Sequence, residues 1–331
     1  MPIMNKKVIN TLEVRKNYGR TIKVLLGLLS INSVVIPYFV AYAAEVLDLN
    51  SALQKTYIAC VGIDEELTDL KRMTGINTAV TAVGTGLGAS ATVVGVVKAS
   101  KDKQIADLES RLLNVRESYG QTSYDIDAAK NKLQKAAIAN AGTTGTEIEK
   151  LTKQSKSLGN WRTGLMAGAT ATNIAGAAIA GVSLKKGDIQ GRIDNCLANV
   201  SNLRTSIAMA KMEGIDVREA QTIANACSGY MGQDVSKIQK QAKGSLVSSA
   251  IGATTGLTGT VASAVANTDK TRNDNTDSGK QKEKNLNTAS NVLAGATTVA
   301  SGTATVFNAL QISTIKRVAR TAAECEEALK Q

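Results

Sequence analysis

Residues 74–97 read TGINTAVTAVGTGLGASATVVGVV and contain no charged side chain. As an α-helix rising about 1.5 Å per residue, this stretch is long enough to cross the hydrocarbon layer of a membrane. Three further uncharged stretches occupy residues 163–184, 244–268 and 286–315. In all four, Leu, Ile, Val and Phe are a minority, and Gly, Ala, Ser, Thr and Asn supply most of the rest. The stretches therefore predict four long helices that are marginal as membrane spans by composition.

Apolar residues recur in these stretches at the 3-4 spacing that keeps one stripe of a helix facing a partner helix. We expect these apolar stripes to pack the four helices against one another. The stripes are Ile76, Val80, Val83, Leu87, Val94 and Val97 in the first stretch, Val247, Ile251, Thr254, Thr258, Val261 and Val265 in the third, and Val292, Ala296, Val299, Thr303, Val306 and Leu310 in the fourth. The second stretch is less regular and repeats a single heptad position at Leu165, Thr172 and Ile179.

Small residues run beside the apolar stripes at four-residue spacing. Such rows allow helix backbones to approach closely, in membranes and in alanine-lined soluble coils. A glycine costs a free helix about 1 kcal/mol relative to alanine, so this many helical glycines imply tight packing that offsets the loss. The candidate helix-packing glycines are Gly84, Gly88, Gly164, Gly168, Gly176, Gly252 and Gly256.

The four cysteines frame the uncharged stretches in pairs. Cys60 precedes the first stretch and Cys196 follows the second, while Cys227 precedes the third and Cys325 follows the fourth. In an antiparallel hairpin, residues at similar distances below each helix lie at the same level, which predicts the disulfides Cys60–Cys196 and Cys227–Cys325. The repeated plan, including Ala-Gly-Ala-Thr at 167–170 and again at 294–297, indicates an old internal duplication.

The N-terminus resembles an export signal in its organisation. Six bases and one acid precede an apolar core at residues 24–36, and Ala41 and Ala43 occupy the two small-residue positions of a cleavage site. We predict a signal peptide at residues 1–43. The alternative is an uncleaved anchor helix, because residues 24–43 match the length of a membrane span. Export would place the protein in the periplasm, on the cell surface or outside the cell, where disulfides form.

Composition favours an all-α fold. Both prolines, Pro2 and Pro37, lie within the predicted signal, and aromatic residues make up 3% of the chain. We expect an elongated helical bundle of two duplicated antiparallel hairpins rich in Gly, Ala and Thr. The first Cys-clasped hairpin would span 44–214 with a coiled-coil protrusion at 98–162, and the second 215–331 with a flexible charged loop at 269–285. In the protrusion, 120–123 reads as a turn and 142–145 (Gly-Thr-Thr-Gly) as a helix breaker.

Catalytic and cofactor chemistry finds little support in the residues. The chain has no His, the commonest general base and a frequent metal ligand. Gly84–Ala89 fits a dinucleotide-binding spacing but lies in a helical repeat, and Gly252–Gly259 lacks the Lys-Ser/Thr ending of a phosphate loop. We therefore expect no enzyme activity, no cofactor and no metal. The formal net charge of +11 comes from bases dispersed among acids, so no nucleic-acid partner is expected either.

Two functions remain open from the sequence. The first is a non-catalytic secreted or envelope protein that acts as a scaffold or interaction module, with a protein partner or a second copy of itself. The second is a membrane-inserting protein whose glycine-rich hairpins enter a bilayer and associate there. Thr-rich faces that contact ice or polysaccharide are a lesser alternative, because Thr also packs inside small-residue bundles.

Overall fold

The structure, a computed structural model, describes residues 36–121, 127–186, 188–268, 271 and 276–331. Over these residues it is all-α, as predicted. The helices are α1 (Ile36–Cys60), α2 (Ile63–Gln121), α3 (Asp127–Lys186), α4 (Ile189–Met212), α5 (Arg218–Cys227), a short 3-10 helix (Ser228–Tyr230), α6 (Ser236–Ala266) and α7 (Asp277–Lys330).

Four of these helices form an elongated antiparallel bundle. The two predicted hairpins are α2–α3 and α6–α7, and they pack side by side because α3 also contacts α6 and α2 also contacts α7. The four helices thus close a ring around a common axis, with α2 opposite α6 and α3 opposite α7. The elongated helical bundle expected from the sequence is confirmed.

A separate head lies at the end of the bundle where α2 and α6 begin and α7 ends. There α1 packs along α4, and α5 packs between α4 and α7. This head has an ordinary apolar core, which draws Leu67 from α2, Val200 and Leu203 from α4, and Val318 from α7. Gly62 and Gly214 have positive φ angles of 79° and 76° at the chain reversals after α1 and α4, a conformation that favours glycine.

At the opposite end, α2 and α3 continue past the other two helices as a two-helix arm. Near the base of this arm, the Lys280 ammonium of α7 lies 3.9 Å from the Glu109 carboxylate of α2. Beyond that level, α2 continues to Gln121 and α3 begins at Asp127. This arm corresponds to the coiled-coil protrusion expected from the sequence.

Two local expectations about the connectors are wrong. Residues 142–145 do not break the helix, because α3 is continuous from Asp127 to Lys186. The charged segment 269–285 is not a loop throughout, because α7 begins at Asp277. The Thr276 side chain caps it by accepting a hydrogen bond from the Gly279 backbone amide. Residues 269, 270 and 272–275 lie outside the described part of the chain.

Most of the predicted signal peptide also lies outside the described residues, which begin at 36. Helix α1 runs from Ile36 through the predicted cleavage position at Ala43 to Cys60. Cleavage therefore stays a prediction from the sequence.

Candidate functional site: a polar bundle interior and an apolar outer belt

The interior of the four-helix bundle is built from small and polar residues. On each helix the buried positions recur every three or four residues, which is the spacing of a coiled coil. These positions are Thr74, Asn77, Thr81, Gly84, Gly88, Ala91, Gly95 and Lys98 on α2; Arg162, Met166, Ala169, Asn173, Gly176, Ala180 and Ser183 on α3; Ala242, Ser245, Ser249, Gly252, Gly256, Gly259, Ser263 and Ala266 on α6; and Ser290, Ala294, Thr297, Ser301, Ala304, Asn308 and Gln311 on α7.

Five of the seven predicted packing glycines lie where a side chain would collide with the neighbouring helix. A Cβ atom added at Gly84 would lie 2.6 Å from Thr172 Oγ1, and one at Gly88 would lie 2.7 Å from Thr298 Oγ1. The other three are Gly176 against Thr81, Gly252 against Asn173, and Gly256 against Thr170, with distances of 2.9, 2.7 and 2.5 Å. These glycines therefore set how closely the helices approach.

The other two predicted packing glycines differ. A Cβ atom at Gly168 would lie 3.1 Å from Leu87 Cδ1, whereas one at Gly164 would meet nothing within 4 Å because this residue faces outward. The four-residue spacing rule missed Gly95 and Gly259, each of which abuts side chains of neighbouring helices, and Gly159, which abuts Asn267 just beyond the end of α6. Two of them lie at the three- and four-residue steps of a heptad, because Gly95 is seven residues after Gly88 and Gly259 is three residues after Gly256. A spacing rule that followed the heptad would have found both.

Side-chain hydrogen bonds cross the bundle axis at several levels. The Asn77 amide donates to Asn308 Oδ1 at 3.1 Å and to Ser245 Oγ at 3.3 Å, joining α2 to α7 and α6. Closer to the arm, the Asn173 amide donates to Ser301 Oγ at 2.8 Å, and this hydrogen bond joins the opposite helices α3 and α7. A polar residue inside a coiled coil fixes the register of its helices, because a slip would leave the polar group buried without a partner.

Further hydroxyl contacts continue this ladder toward the arm. Thr305 donates to Thr81, Thr255 and Thr297 share a hydrogen bond, and Ser290 donates to the Gly259 carbonyl, all at 3.0 Å. Thr163 and Ser263 lie 2.8 Å apart and link α3 to α6.

Two buried cations lie at the arm end of the bundle interior. Lys98 is 1% exposed, and its ammonium lies 2.6 Å from Asp102 and 3.7 Å from Glu283. Asp102 also accepts a hydrogen bond from Ser155 of α3 at 2.5 Å. Arg162 is likewise 1% exposed and donates to the Asn287 carbonyl at 3.4 Å. The cluster ties α2, α3 and α7 together where the arm leaves the bundle.

Many large apolar residues of the same four helices are exposed. In the third and fourth stretches, the predicted packing stripes had the correct period but the wrong phase, because they face outward and the small residues beside them lie inside. In the first and second stretches the predicted stripes are partly covered, since Val80, Leu87, Val94, Leu165, Thr172 and Ile179 are half-buried. We call the exposed surface the outer belt. It consists of the exposed residues of 74–97, 163–184, 244–268 and 286–315. Its large members are Ile76, Val83, Val93, Val96, Val97, Ile174, Val182, Val247, Ile251, Leu257, Val261, Val265, Val292, Val299, Val306 and Leu310.

The outer belt contains no charged residue, and most of its exposed hydroxyl groups are paired within their own helices. Ser90 donates to the Gly86 carbonyl at 2.8 Å, and Thr258 donates to the Thr254 carbonyl at 3.0 Å. Thr254 and Thr303 do the same with the carbonyl four residues earlier. These side chains therefore present methyl or methylene groups to the surroundings and keep their donors occupied.

Two segments of the described chain are long and apolar enough to cross a membrane, one within Asp48–Arg111 and one within Gly142–Met212. A buried core helix can pass the same test, but only 28% and 33% of the residues in these apolar windows are buried. The uncharged stretches of α6 and α7 are not apolar enough to pass this test, which agrees with their Thr- and Ser-rich composition.

A shallow groove lies on the outer belt between α2 and α3, at the arm end. It is lined by Leu87, Asn160, Trp161, Gly164 and Leu165. Trp161 is the only tryptophan of the chain and is 68% exposed. It therefore lies at the boundary between the uncharged belt and the charged base of the arm.

Both disulfides lie together in the apolar core of the head. The bonds are Cys60–Cys196 and Cys227–Cys325, which are the expected pairs, and the sulfur atoms of Cys60, Cys227 and Cys325 all lie within 4.8 Å of one another. The sequence predicted two separate disulfide-bonded ends, whereas in the structure both disulfides lie in one core. Since all four sulfurs are bonded in pairs, none is a thiolate ligand for a metal.

Tyr230 is buried in the same core, close to the disulfides. Burial raises the pKa of its hydroxyl above the ordinary value, and the nearby carboxylates of Asp64 and Glu326 raise that pKa further, while Arg192 opposes them. The phenol is therefore neutral at any physiological pH and serves as part of the apolar packing of the head.

Comparison of the chain with known protein families, characterised proteins and solved structures found no match.

Proposed function

We propose that this protein is a non-catalytic structural or interaction protein of the cell envelope whose outer belt is inserted in a lipid bilayer. The observation that carries the proposal is the inverted bundle, in which Gly, Ser, Thr and Asn are buried and Val, Ile and Leu are exposed on all four helices. Exposed apolar surface of this extent is unfavourable in water and marks a contact with a membrane or another protein.

A bilayer fits the belt better than a protein partner does, because every helix of the bundle contributes to it. A docked protein would cover one face, whereas lipid surrounds the whole circumference. The first stretch, 74–97, is about 36 Å long as a helix, compared with about 30 Å for the hydrocarbon core of a bilayer. Small and polar residues inside, with hydrogen bonds between helices, are also the usual means of packing helices in lipid.

The head supplies an internal comparison within the same chain. Its core is made of Ile, Leu, Val and Cys, as in a water-soluble domain, and the inversion is confined to the uncharged part of the bundle. The alternative of a soluble scaffold therefore accounts for the head but leaves the outer belt uncovered.

The proposal places the head and the arm on opposite sides of the bilayer. Disulfides form in oxidising compartments, so the head would lie on the exported side. The arm of α2 and α3 would project from the other side as a charged two-helix rod, and this rod is the surface we assign to partner binding. No reaction is assigned to any residue.

The single tryptophan gives a direct test of insertion. We expect Trp161 emission to shift to shorter wavelength, and to be quenched by brominated acyl chains, when the full chain is reconstituted into phosphatidylcholine vesicles. The physical reason is that Trp161 lies at the edge of the outer belt, where tryptophan commonly meets the membrane interface.

The matched control moves the tryptophan to the head. In the variant with Trp161→Phe and Met212→Trp, the new tryptophan lies at a position that is 83% exposed at the end of α4. Its emission should not respond to the brominated chains. A parent protein that stays monodisperse without detergent, and whose Trp161 remains fully accessible to a water-soluble quencher beside vesicles, would contradict insertion.

A further inference from the structure

A ring of exposed bases surrounds the bundle directly below the outer belt, on the head side. Each of the four helices contributes to this basic ring, which consists of Lys71, Arg72, Lys185, Lys240, Lys243, Lys316 and Arg317. Within the described part of the chain, no ion pair is recorded for any of the seven.

The hydrogen bonds of the interior show that these bases lie at nearly the same height. Asn77, Ser245 and Asn308 are joined and so define one level of the bundle. Arg72 and Lys240 each lie five residues from this level toward the head, which is about 7–8 Å along the helix axis. Near this lower level, Thr314 of α7 donates to Gln241 of α6 at 3.3 Å, and Lys316 follows within a turn.

The fourth helix reaches the same height. Gly176 of α3 packs against Thr81 and Ser249. Lys185 is nine residues from Gly176 in the direction of the head, as Arg72 is from Thr81, so the two bases share a level. Apolar belt residues lie immediately above, with Val182 only three residues from Lys185 and Ile76 four from Arg72.

The bases at the arm end of the outer belt are placed differently. Lys98 and Arg162 are buried there, and Lys98 is paired with Asp102 and Glu283. The exposed Lys280 pairs with Glu109. At the head side, the acids nearest in sequence to the ring are Asp69 and Asp188, and the Asp188 carboxylate caps α4 by accepting from the Gly191 amide. Exposed bases also lie at the arm end, but they accompany acids, since Lys103 follows Asp102 and Lys282 and Lys284 flank Glu283.

The disulfides exclude one explanation of the basic ring. Bases next to membrane spans usually mark the cytoplasmic side, because they resist translocation. The basic ring here adjoins the disulfide-bonded head, which belongs to an oxidising compartment. Retention in the cytoplasm therefore does not account for the ring, and its height at the edge of the belt matches that of lipid headgroups.

We propose that the basic ring binds the phosphate groups of anionic lipids in the leaflet on the head side. This inference rests on the proposed insertion of the outer belt. Lys and Arg donate charge-assisted hydrogen bonds to phosphate oxygens. Each base close to an anionic surface strengthens the association about fivefold, and seven bases around one circumference can engage several headgroups at once.

The test measures which lipids the protein retains. The full chain with its disulfides intact is reconstituted in nanodiscs made from equal parts of phosphatidylcholine and phosphatidylglycerol, and the lipids that remain bound are counted by native mass spectrometry. We expect phosphatidylglycerol to be enriched over phosphatidylcholine. The variant Lys71→Gln, Lys243→Gln, Lys316→Gln should lose on the order of tenfold or more of this enrichment.

The matched control removes three exposed charges from the other side of the belt, through Lys103→Gln, Lys282→Gln and Lys284→Gln. This variant should retain the enrichment of the parent. Equal retention of the two lipids by the parent, or equal losses in the two triple variants, would overturn the proposal. A loss of the enrichment in phosphate buffer, but not in chloride buffer of the same ionic strength, would also overturn the proposal, because the ring would then bind free phosphate.

The Trp161 measurement in the same nanodiscs separates this proposal from the proposed function. A blue-shifted Trp161 with no preference for phosphatidylglycerol overturns the basic ring alone and leaves the insertion of the outer belt standing. An unshifted Trp161 overturns insertion, and the ring proposal with it.

Discussion

At the scale of single residues, glycine has two different roles in this bundle. Gly88 and Gly86 are two positions apart on α2, yet only Gly88 faces a neighbouring helix. A Cβ atom at Gly88 would lie 2.7 Å from Thr298 Oγ1 and 3.3 Å from the Thr298 backbone, whereas one at Gly86 would meet nothing within 4 Å. The same residue type therefore sets the helix separation at one position and is merely a weak helix former at the other.

These positions give a paired prediction. Gly88→Ala should lower the free energy of unfolding by about 1–3 kcal/mol, because the Thr298 backbone cannot move away without shifting α7. Gly86→Ala should raise it by up to about 1 kcal/mol through helix propensity alone. Chemical unfolding in detergent, followed by circular dichroism, measures both. Equal effects of the two substitutions would show that Gly88 does not lie at a helix contact.

Individual polar residues also explain why the sequence did not predict which face of each helix points into the bundle. Asn173 and Ser301 look like surface residues by composition, while Val299 looks like a core residue. The structure reverses them, since Asn173 and Ser301 pair across the axis and Val299 is 70% exposed. Periodicity reports that a helix has two faces, but the choice of the inner face depends on the surrounding solvent, which a sequence does not state.

At the scale of helices and their links, the sequence was more informative. The uncharged stretches predicted four long helices, and the distances of the cysteines from those stretches predicted both disulfide pairs. The unbroken course of α3 through Gly142 and Gly145 was missed. Two glycines weaken a helix by about 1 kcal/mol each, and with no proline in this region that is too little to end it.

The disulfides should dominate the stability of the head. The bonds join residues separated by 136 and 98 positions, and the chain-entropy model assigns about 4–5 kcal/mol to loops of this size. Replacing Cys60 and Cys196 together by Ala should therefore lower the free energy of unfolding by that order. Removing both bonds should cost less than the sum of the two separate losses, because the bonds share one core.

Denaturant titration of the two double variants and of the cysteine-free chain measures these losses, with the oxidised parent as the reference. Strictly additive losses would argue against a shared core. A loss below about 1 kcal/mol for either pair would mean that the unfolded chain gains little freedom when the bond is absent.

At the scale of the whole molecule, the outer belt predicts that the protein can be converted to a soluble one. Val83, Ile174, Leu257 and Val299 lie near the middle of their stretches, one on each helix, and all are exposed. Changing them to Glu, Lys, Glu and Lys, respectively, leaves the interior untouched and the net charge unchanged. Because a charge at the centre of a membrane span costs about 2.5–3.5 kcal/mol, this variant should leave vesicles and remain monodisperse in water.

Vesicle flotation and size-exclusion chromatography without detergent measure this conversion, and circular dichroism reports whether the helices persist. A control with Val83→Leu, Ile174→Leu, Leu257→Ile and Val299→Ile keeps the belt apolar and should float as the parent does. If the charged variant also floats, the middle of the belt does not lie within the bilayer.

The unbroken length of α2 and α3 has a mechanical consequence. With 59 and 60 residues, each helix is about 90 Å long, and together they link the vicinity of the disulfides to the tip of the opposite end without a hinge. Helix α7 supports these two helices laterally through its hydrogen bonds with Asn77 of α2 and Asn173 of α3. A push or a twist applied at the tip is consequently transmitted along the axis of both helices to the disulfide-bonded head.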